Sequence, residues 1–314
     1  MIEARHPEST HMDSQQLLKA QTFKALHERD GAFVMPNPWD AGSAKLLASM
    51  GFEALATTSA GLAFTLGRPD AEGAISRDDT LANVADIVAA ISLPVAADLE
   101  NCFSDNPEGC AQTLLKAAAA GIVGGSIEDA SGRADHPIYD FDLAVERVRA
   151  SVAAVRSLPF PFMLTARAEN LLNGRMDFAD TLRRLEAYAE AGADVLYAPG
   201  LRTREEVIRR LEAYAEAGAD VLYAPGLRTR EEVIAVVRAV APKPVNILMG
   251  LGGVTLSVAD LSECGVKRIS VGSSLARAAF GGLYRAAEEI RNYGTFNYAG
   301  QALPFDQLND LFKG

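Results

Sequence analysis

Acidic side chains and one arginine stand at the ends of three successive apolar runs of this chain. The first run ends in Asp98 and Glu100, the second in Glu128 and the third in Arg167. Asp98 and Glu100 alternate along one predicted strand, so both side chains can face the same side. Carboxylate oxygens suit Mg²⁺, which keeps several waters and often takes only one or two protein carboxylates. The pattern predicts a metal site formed by Asp98, Glu100 and Glu128, with acids that cap helices or pair with basic residues as the alternative.

Three other features could bind an anion. The planar guanidinium of Arg167 suits a carboxylate, although an ion pair with Glu128 or Glu169 would also explain its position. The run Thr58-Ser59-Ala60-Gly61 could offer N–H groups and hydroxyls, or could simply form a tight turn. The run Val271–Ser274 is similar to the phosphate-binding turn of many barrels, with an ordinary strand-to-helix turn as the alternative.

The sequence offers few residues for other catalytic arrangements. No Ser–His–Asp arrangement is visible, and of the four histidines only His136 falls in a loop predicted at the same end as the acids. Trp39, just after the first predicted strand, could line a pocket or pack in the core. The chemistry therefore depends on the acids and on Arg167.

Short apolar runs alternate with longer amphipathic stretches, which predicts a parallel sheet with helical crossovers. The predicted strands are residues 32–36, 54–58, 94–98, 124–128, 162–167, 194–198, 244–249 and 268–271, with 220–224 as a duplicate. Eight strands predict an α/β protein with a (β/α)8 TIM-type barrel, in which active sites lie at the carboxyl ends of the strands. An apolar stripe at Phe305, Leu308 and Leu311–Phe312 predicts an extra C-terminal helix that packs on a neighbouring subunit of a dimer or tetramer.

One segment of the chain occurs twice. Residues 183–208 and 209–234 carry the same 26 letters, RRLEAYAEAGADVLYAPGLRTREEVI, which indicates a recent tandem duplication or a deliberate insertion. Each copy contains one short apolar strand. Because strand number and stagger are linked in a closed barrel, we expect one copy to form the sixth strand and the other to bulge from the wall. The first copy is favoured for the barrel, since it keeps its original connection.

Composition and charge indicate which partners and which cellular compartment to expect. The 314 residues carry a formal charge of -11, which argues against nucleic acid or an anionic membrane as a partner. Three scattered cysteines and no long apolar run predict a soluble protein of the reducing cytoplasm. Residues 1–11, which precede Met12, are expected to be a disordered tail or a cloning remnant. Residues 12–314, including the 183–208/209–234 repeat, are expected to form a single barrel domain.

The three motifs together resemble those of the isocitrate lyase/phosphoenolpyruvate mutase superfamily. The resemblance rests on VAADLENCF, GGSIEDA and LTARAENLL, preceded by TTSAGLAFTLGRPD, and extends from about Asn37 to Ala287. The later segments PVNILMGLGG and RISVGSSLARAAF are similar to an uncharacterised, mutase-like branch. The superfamily acts on 2-oxo acids or their precursors beside an enolate.

The resemblance also implies roles for individual residues. Asp98 would hold Mg²⁺, or Mn²⁺ in its place, most directly, while Glu100 and Glu128 would act through metal-bound waters. Asp70 would lie near the substrate, and Arg167 would bind its carboxylate or the developing enolate oxygen. The residues expected to bind substrate are Thr58, Ser59, Ala60, Trp39, Asn246, Tyr197 and Pro199, with Tyr223 and Pro225 as the equivalents in the second copy.

Three departures from the family pattern refine this hypothesis, two in one loop and one at Cys102. The loop Ala130–Pro137 lacks the cysteine of isocitrate and methylisocitrate lyases and the Lys and Asn of phosphonomutases. Cys102 stands where relatives usually have glycine, so its thiol could crowd the metal.

The favoured interpretation is a Mg²⁺-dependent lyase or decarboxylase acting on a small, oxaloacetate-like 2-oxo acid through an enolate. The alternatives are a phosphate-binding barrel enzyme and a folded but inactive barrel with an engineered duplication.

Overall fold

The computed structural model describes residues 9–200, 211, 218–224, 226–250 and 252–313. Its strands are β1 Phe33–Met35, β2 Leu55–Ala56, β3 Val95–Ala97, β4 Gly124–Glu128, β5 Met163–Arg167, β6 Val195–Tyr197, β7 Val221–Ala224, β8 Val245–Leu248 and β9 Arg268–Ser270. Its helices are α1 Ser9–Glu28, α2 Ala41–Ser49, α3 Ser59–Thr65, α4 Arg77–Ala90, α5 Pro107–Ala119, α6 Phe141–Arg156, α7 Phe178–Glu190, α8 Arg230–Ala239, α9 Val258–Glu263, α10 Ser274–Tyr293 and α11 Phe305–Phe312, with a 3₁₀ turn at Asn297–Gln301.

All nine strands belong to one parallel sheet, in the order β1-β9-β8-β7-β6-β5-β4-β3-β2. The two ends of this order approach each other, because the N–H of Ala56 in β2 donates to the carbonyl of Pro36 just after β1, at 3.1 Å. The sheet is therefore a nearly closed barrel surrounded by helices, and the predicted α/β TIM-type fold is confirmed.

The strands of both repeat copies lie in the barrel wall. β6 from the first copy pairs in parallel with β7 from the second, and Tyr197 lies opposite Tyr223. Parallel strands are covered on both faces, so the apolar run VLYA suits this position equally well in either copy. Pairing also gives the backbone N–H and C=O groups of both strands their partners, which a bulged strand would lack. The prediction that one copy bulges from the wall is therefore wrong for this strand.

Helix ends and helix caps follow local sequence signals. The helices before β4 and β6 stop at Gly121 and Gly192, with φ angles of 104° and 99°, a backbone region that favours glycine. Ser76 and Thr229 each begin a helix with a capping box, in which the side chain accepts from an N–H in the first turn. These signals place the crossovers that connect one strand to the next.

Helix α1 covers the amino-terminal end of the barrel. Phe23 and His27 of α1 are buried, and the His27 ring packs edge-on against both Phe23 and Phe33, the first residue of β1. Residues 1–8 of the predicted tail lie outside the described residues, and α1 begins at Ser9, within the segment expected to be disordered.

The C-terminal helix α11 lies against α2 of the same chain, where Lys45 Nζ donates to the Phe312 carbonyl. Large apolar side chains on α10 and α11 remain exposed, among them Leu283, Tyr284 and Phe305. The predicted contact with a neighbouring subunit remains a prediction. Within the ranges described above, no helix has both the length and the apolar character required to cross a membrane.

Candidate active site

Arg167, at the carboxyl end of β5, lies among three carboxylates. Its guanidinium nitrogens are 3.5 Å from Asp98 Oδ1, 3.3 Å from Glu128 Oε2 and 2.8 Å from Glu169 Oε1. These side chains come from the ends of β3, β4 and β5, which are neighbours in the sheet. The structure thus brings the three main predicted residues together at one rim of the barrel.

Two further acids complete the rim. Ser59 Oγ donates to Asp98 Oδ2 at 3.0 Å, and Asp70 and Asp98 line one cavity that opens at this rim. Burial, followed by repulsion from Asp98 and Asp70, raises the pKa of Glu100 to about 7. Burial and the Asp98 charge likewise raise the pKa of Asp70. The predicted residues Asp70, Asp98 and Glu100 therefore share one electrostatic environment.

The rim carries an excess of negative charge. Burial raises the pKa of Glu128 and of Glu169, even though Arg167 opposes this effect. Burial by itself would lower the pKa of Arg167, but Glu169, Glu128 and Asp98 outweigh it and raise that pKa. Five carboxylates thus share a rim with one guanidinium, and burial, with repulsion between the acids, favours the protonated forms of Asp70, Glu100, Glu128 and Glu169.

This donor set fits a hydrated divalent cation better than a closed protein cage. The part of the chain that the structure describes contains no group of three or more His, Cys, Asp or Glu residues arranged to hold a metal ion. Mg²⁺ often binds through one or two carboxylates and keeps its other waters, so one direct ligand and nearby acids suffice. The carboxylate of Asp98 is held in place at this rim, because it accepts hydrogen bonds from Ser59 and Ser126.

The turn after β3 holds Glu100 and Cys102 in unusual backbone geometry. Glu100 and Cys102 have φ angles of 48° and 58°, the left-handed region that costs a side chain roughly 1–2 kcal/mol. The Cys102 thiol is fully buried and faces the Ser126 carbonyl, and burial raises its pKa. The expected thiol beside the metal is therefore absent from the rim, because the left-handed turn directs Cys102 into the core.

Two buried networks hold this rim in place. Arg147 of α6 donates to the carbonyls of Glu128, Asn101 and Ser104, which joins the loops after β3 and β4. Arg147 was not among the predicted site residues, although a charged residue on the apolar face of α6 is a signal for such a role.

The second network holds the backbone of Glu169 in place. Asp129 accepts hydrogen bonds from the Glu169 N–H, the Tyr188 hydroxyl and Arg184, at 2.8, 2.7 and 3.1 Å. All four residues are at least nine-tenths buried. Because Glu169 contacts Arg167 directly, Asp129 positions the arginine through this one intermediate residue.

A cavity of about 250 Å³ extends from the rim into the barrel. Its lining includes Thr58, Ser59, Ala60, Asp70, Asp98, Arg167, Tyr197, Tyr223, Arg268 and Ser270. The predicted substrate residues Thr58, Ser59, Ala60 and Tyr197 thus line it, and Tyr223 from the second copy does so as well. The run at Thr58 is the start of α3, in which the Thr58 hydroxyl accepts from the Gly61 N–H.

Three other predicted substrate residues do not line this cavity. Trp39 packs beside Gly61, and its carbonyl accepts from Asn83, so it supports α3 and α4. Pro199 is buried. Asn246 is fully buried and bonds to Arg268 and Ser270. Their direct contact with substrate stays a prediction, while Pro225 lies outside the described residues.

The phosphate-like turn after β9 is already occupied by a side chain. The N–H groups of Val271 and Gly272 both donate to Asn37 Oδ1, at 3.2 and 2.9 Å. A phosphate could bind these amides only by displacing Asn37. The run Val271–Ser274 is therefore an ordinary strand-to-helix turn, stabilised by Asn37.

The loop Ala130–Pro137 closes on itself beside the rim. Ser131 N–H donates to the Pro137 carbonyl at 2.8 Å, and Arg133 forms an ion pair with Asp105 at 2.7 Å. Several of its residues border the wider opening above Glu100 and Glu128. The loop can therefore restrict access to the rim without supplying a thiol.

Comparison with known proteins places the chain in a family. The family model for phosphoenolpyruvate phosphomutase matches residues 23–209 and 202–291. The crystal structure of a candidate lyase/mutase from Burkholderia cenocepacia J2315 is 52% identical, with a TM-score of 0.78, and the match covers 96% of this chain and 98% of that one.

Relatives with named activities are more distant. 2-Methylisocitrate lyase of Escherichia coli strain K12 is 30% identical over 184 residues, which are 56% of this chain and 60% of the enzyme. The structure of oxaloacetate acetylhydrolase with the inhibitor 3,3-difluorooxalacetate is 25% identical, with a TM-score of 0.68, and the match covers 94% and 93% of the two chains. With this fold, this rim and these matches, the chain belongs to the PEP mutase/isocitrate lyase superfamily, whose members are carbon–carbon lyases or mutases.

Proposed function

We propose that this protein is a Mg²⁺-dependent lyase or decarboxylase that cleaves a small 2-oxo acid of oxaloacetate size through an enolate. The observation that carries the proposal is that Asp98 and Glu128 lie at one rim with Arg167, whose guanidinium is 3.5 Å from Asp98 and 3.3 Å from Glu128. Charged groups of both signs at that position can bind a cation and a substrate carboxylate side by side.

Asp98 would hold the cation directly, with Glu100 and Glu128 contacting its waters. Mn²⁺ has the same preference for oxygen ligands and is the expected substitute. When bound, the cation acts as a Lewis acid that polarises the 2-oxo group. Glu100 must lose its proton for the cation to bind well, so affinity should rise with pH through about 7.

Arg167 would bind the negative charge that develops on the substrate. Cleavage of the bond next to a carbonyl leaves an electron pair that spreads onto the carbonyl oxygen as an enolate. A guanidinium already fixed by Glu169 needs little reorganisation to stabilise that charge. Asp70 lines the same cavity, and its raised pKa suits a carboxyl group that passes a proton to the enolate carbon.

The size of the substrate is inferred from the cavity and the relatives. The interior volume of about 250 Å³ suits a small acid, and Thr58, Ser59 and Ala60 line its upper part. One relative acts on oxaloacetate by its printed name, and another on 2-methylisocitrate. The loop Ala130–Pro137 offers no cysteine acid, which favours the oxaloacetate type.

The test is a screen of small 2-oxo acids for Mg²⁺-dependent release of pyruvate or another short acid. We expect activity with Mg²⁺ or Mn²⁺, none in EDTA, and a loss of at least about 10³-fold in Asp98→Asn and Arg167→Lys. Glu288→Gln, an exposed change on α10, is the matched control and should keep full activity. Equal activity in EDTA, or in Asp98→Asn, would contradict the proposal.

A folded but inactive barrel is the second candidate, because the ninth strand, β7, changes the wall of the cavity that Arg167 lines. Comparison with a chain that lacks residues 209–234 separates the two. Activity that appears only in the shortened chain would mean that the second copy damages a working site. Inactivity of both proteins in the full screen would argue against catalysis.

A further inference from the structure

A second buried cation lies inside the barrel, below the rim. Arg268, the first residue of β9, is 3% exposed and lines the same cavity as Arg167. Its Nε donates to Asn246 Oδ1 at 2.8 Å, and its Nη1 donates to His27 Nε2 at 3.1 Å. Both partners are neutral acceptors, and Nη2 has no acceptor among the residues that the structure describes.

The tautomer of His27 shows that this partner carries no charge. His27 Nδ1 lies 2.8 Å from the Phe23 carbonyl, which can only accept, so Nδ1 carries the proton and Nε2 is free to accept from Arg268. Burial, then the charge of Arg268, lowers the pKa of His27 to about 3. Burial likewise lowers the pKa of Arg268 to about 10.

Arg268 therefore differs from Arg167 in its neighbours. Arg167 lies among three acids, whereas Arg268 forms no ion pair with any carboxylate in the described ranges. Buried charges in proteins are normally paired, and an uncompensated one is costly. Arg268 lines the cavity without a paired carboxylate, so an anion that enters the cavity would compensate its charge.

One row of paired strand positions connects the two arginines. Arg167 lies opposite Tyr197, Tyr197 opposite Tyr223, Tyr223 opposite Asn246, and Asn246 opposite Arg268. Paired residues of parallel strands point to the same face, here the barrel interior. Because barrel strands tilt by roughly 36°, such a row descends from the mouth towards the floor.

The side chains of this row form a continuous stack. Arg167 lies 5.3 Å from the Tyr197 ring centre, the two tyrosine rings are 4.1 Å apart, and Arg268 lies 5.6 Å from the Tyr223 ring. Tyr223 belongs to the second repeat copy, so the ninth strand adds one ring to the stack. A barrel of eight strands is just filled by side chains, whereas a ninth strand widens the interior.

The widened interior is polar enough and large enough for a small ion. The whole cavity, rim included, has about 250 Å³, which is room for several water molecules. The hydroxyls of Tyr223 and Ser270 line it beside Arg268 and hydrogen-bond to each other, which leaves one hydroxyl hydrogen of the pair free to donate to an ion. The guanidinium of Arg268 balances a single negative charge, its planar edge matches two carboxylate oxygens, and the remaining hydroxyl hydrogen can donate to one of them.

We propose that the floor of this barrel is a second anion site, in which Arg268, with Ser270 and Tyr223, binds one small carboxylate group. The carboxylate could come from a free monoacid or from the far end of a diacid that enters from the mouth. The site does not depend on the proposed lyase reaction, because it involves neither the metal nor the rim acids.

The test measures acetate binding to the full-length protein in EDTA, by equilibrium dialysis and by the shift in thermal unfolding. Without metal, the acids around Arg167 repel acetate, so the measurement reports on the floor. We expect one acetate per chain, with acetamide, its neutral analogue, giving no shift. Arg268→Met should weaken acetate binding at least tenfold, while Arg238→Met, an exposed change on α8, should leave it unchanged.

Arg268→Lys provides a second variant, which keeps the charge and should keep part of the binding if the methionine variant fails to fold. With Mg²⁺ present, displacement of acetate by succinate but not by propionate would identify the far carboxylate of a diacid as the ligand. Retention of acetate would identify a free monoacid, and either result supports the site. Equal stabilisation by acetate and acetamide, or unchanged acetate affinity in Arg268→Met, would overturn it.

Discussion

Replacing Glu100 with glutamine tests the electrostatic description of the rim. Burial and the charges of Asp98 and Asp70 raise the pKa of Glu100 from 4.5 to about 7. A raised acid pKa means that the folded protein binds this proton more tightly than the unfolded chain does. Stability in the absence of metal must therefore fall as the pH rises through the window from 4.5 to 7.

The magnitude follows from the size of the pKa difference. A difference of about 2.5 units corresponds to about 3 kcal/mol of unfolding free energy, fully lost above pH 7. Glutamine keeps the shape of the side chain and carries no charge at any pH. In EDTA, Glu100→Gln should be more stable than the natural chain by about 1 kcal/mol at pH 5.5 and by about 3 kcal/mol above pH 8.

Urea unfolding at a series of pH values measures this difference, with Glu288→Gln as an exposed control that should follow the natural chain. Saturating Mg²⁺ should reverse the order, because the cation stabilises a rim with Glu100 more than one with glutamine. A stability difference that stays constant from pH 5.5 to 8.5, or shrinks as the pH rises, would refute the reasoning.

Three further predictions follow from other parts of the structure. Arg147→Met leaves buried carbonyls without donors, so it should lower the unfolding free energy by about 2–3 kcal/mol in urea and weaken Mn²⁺ binding; unchanged Mn²⁺ affinity would contradict its positioning role. A chain that lacks residues 209–234 should fold with eight strands, unfold at least as high in temperature and show no acetate-specific stabilisation; persistence of that stabilisation would mean that the ninth strand does not create the floor site. The exposed apolar face of α10 predicts a dimer or tetramer by light scattering, which Leu283→Asp with Tyr284→Asp should dissociate; a monomer before the change would contradict the prediction.

The strands and the rim could be predicted because they depend on local pattern and position. Each observed strand lies inside its predicted range, since short apolar runs between turn residues specify buried parallel strands. Asp98, Glu128 and Arg167 follow those runs directly, so the fold alone brings them to one end. Predicting the strands and the residues at their ends needs no knowledge of side-chain packing.

Other features depend on packing between distant segments, which the sequence does not reveal. The two copies of VLYA pair with each other, which satisfies the backbone groups of both strands, whereas the strand number of an ideal barrel predicted a bulge. Trp39 follows β1 and Asn246 lies within β8, yet Trp39 packs beside Gly61 of α3 and Asn246 bonds to Arg268. In the sequence, Arg268 looks like any other strand residue. Only the strand register places it at the floor of the barrel.

The most direct test of the account is a titration with Mn²⁺ followed by electron paramagnetic resonance at pH 8, in the natural chain and in Asp98→Asn. We predict one Mn²⁺ per chain, displaced competitively by Mg²⁺, with affinity at least tenfold weaker in Asp98→Asn and unchanged in Glu288→Gln. No bound Mn²⁺ in the natural chain, or equal affinity in Asp98→Asn, would contradict the claim that Asp98, Glu128 and Arg167 surround one hydrated dication.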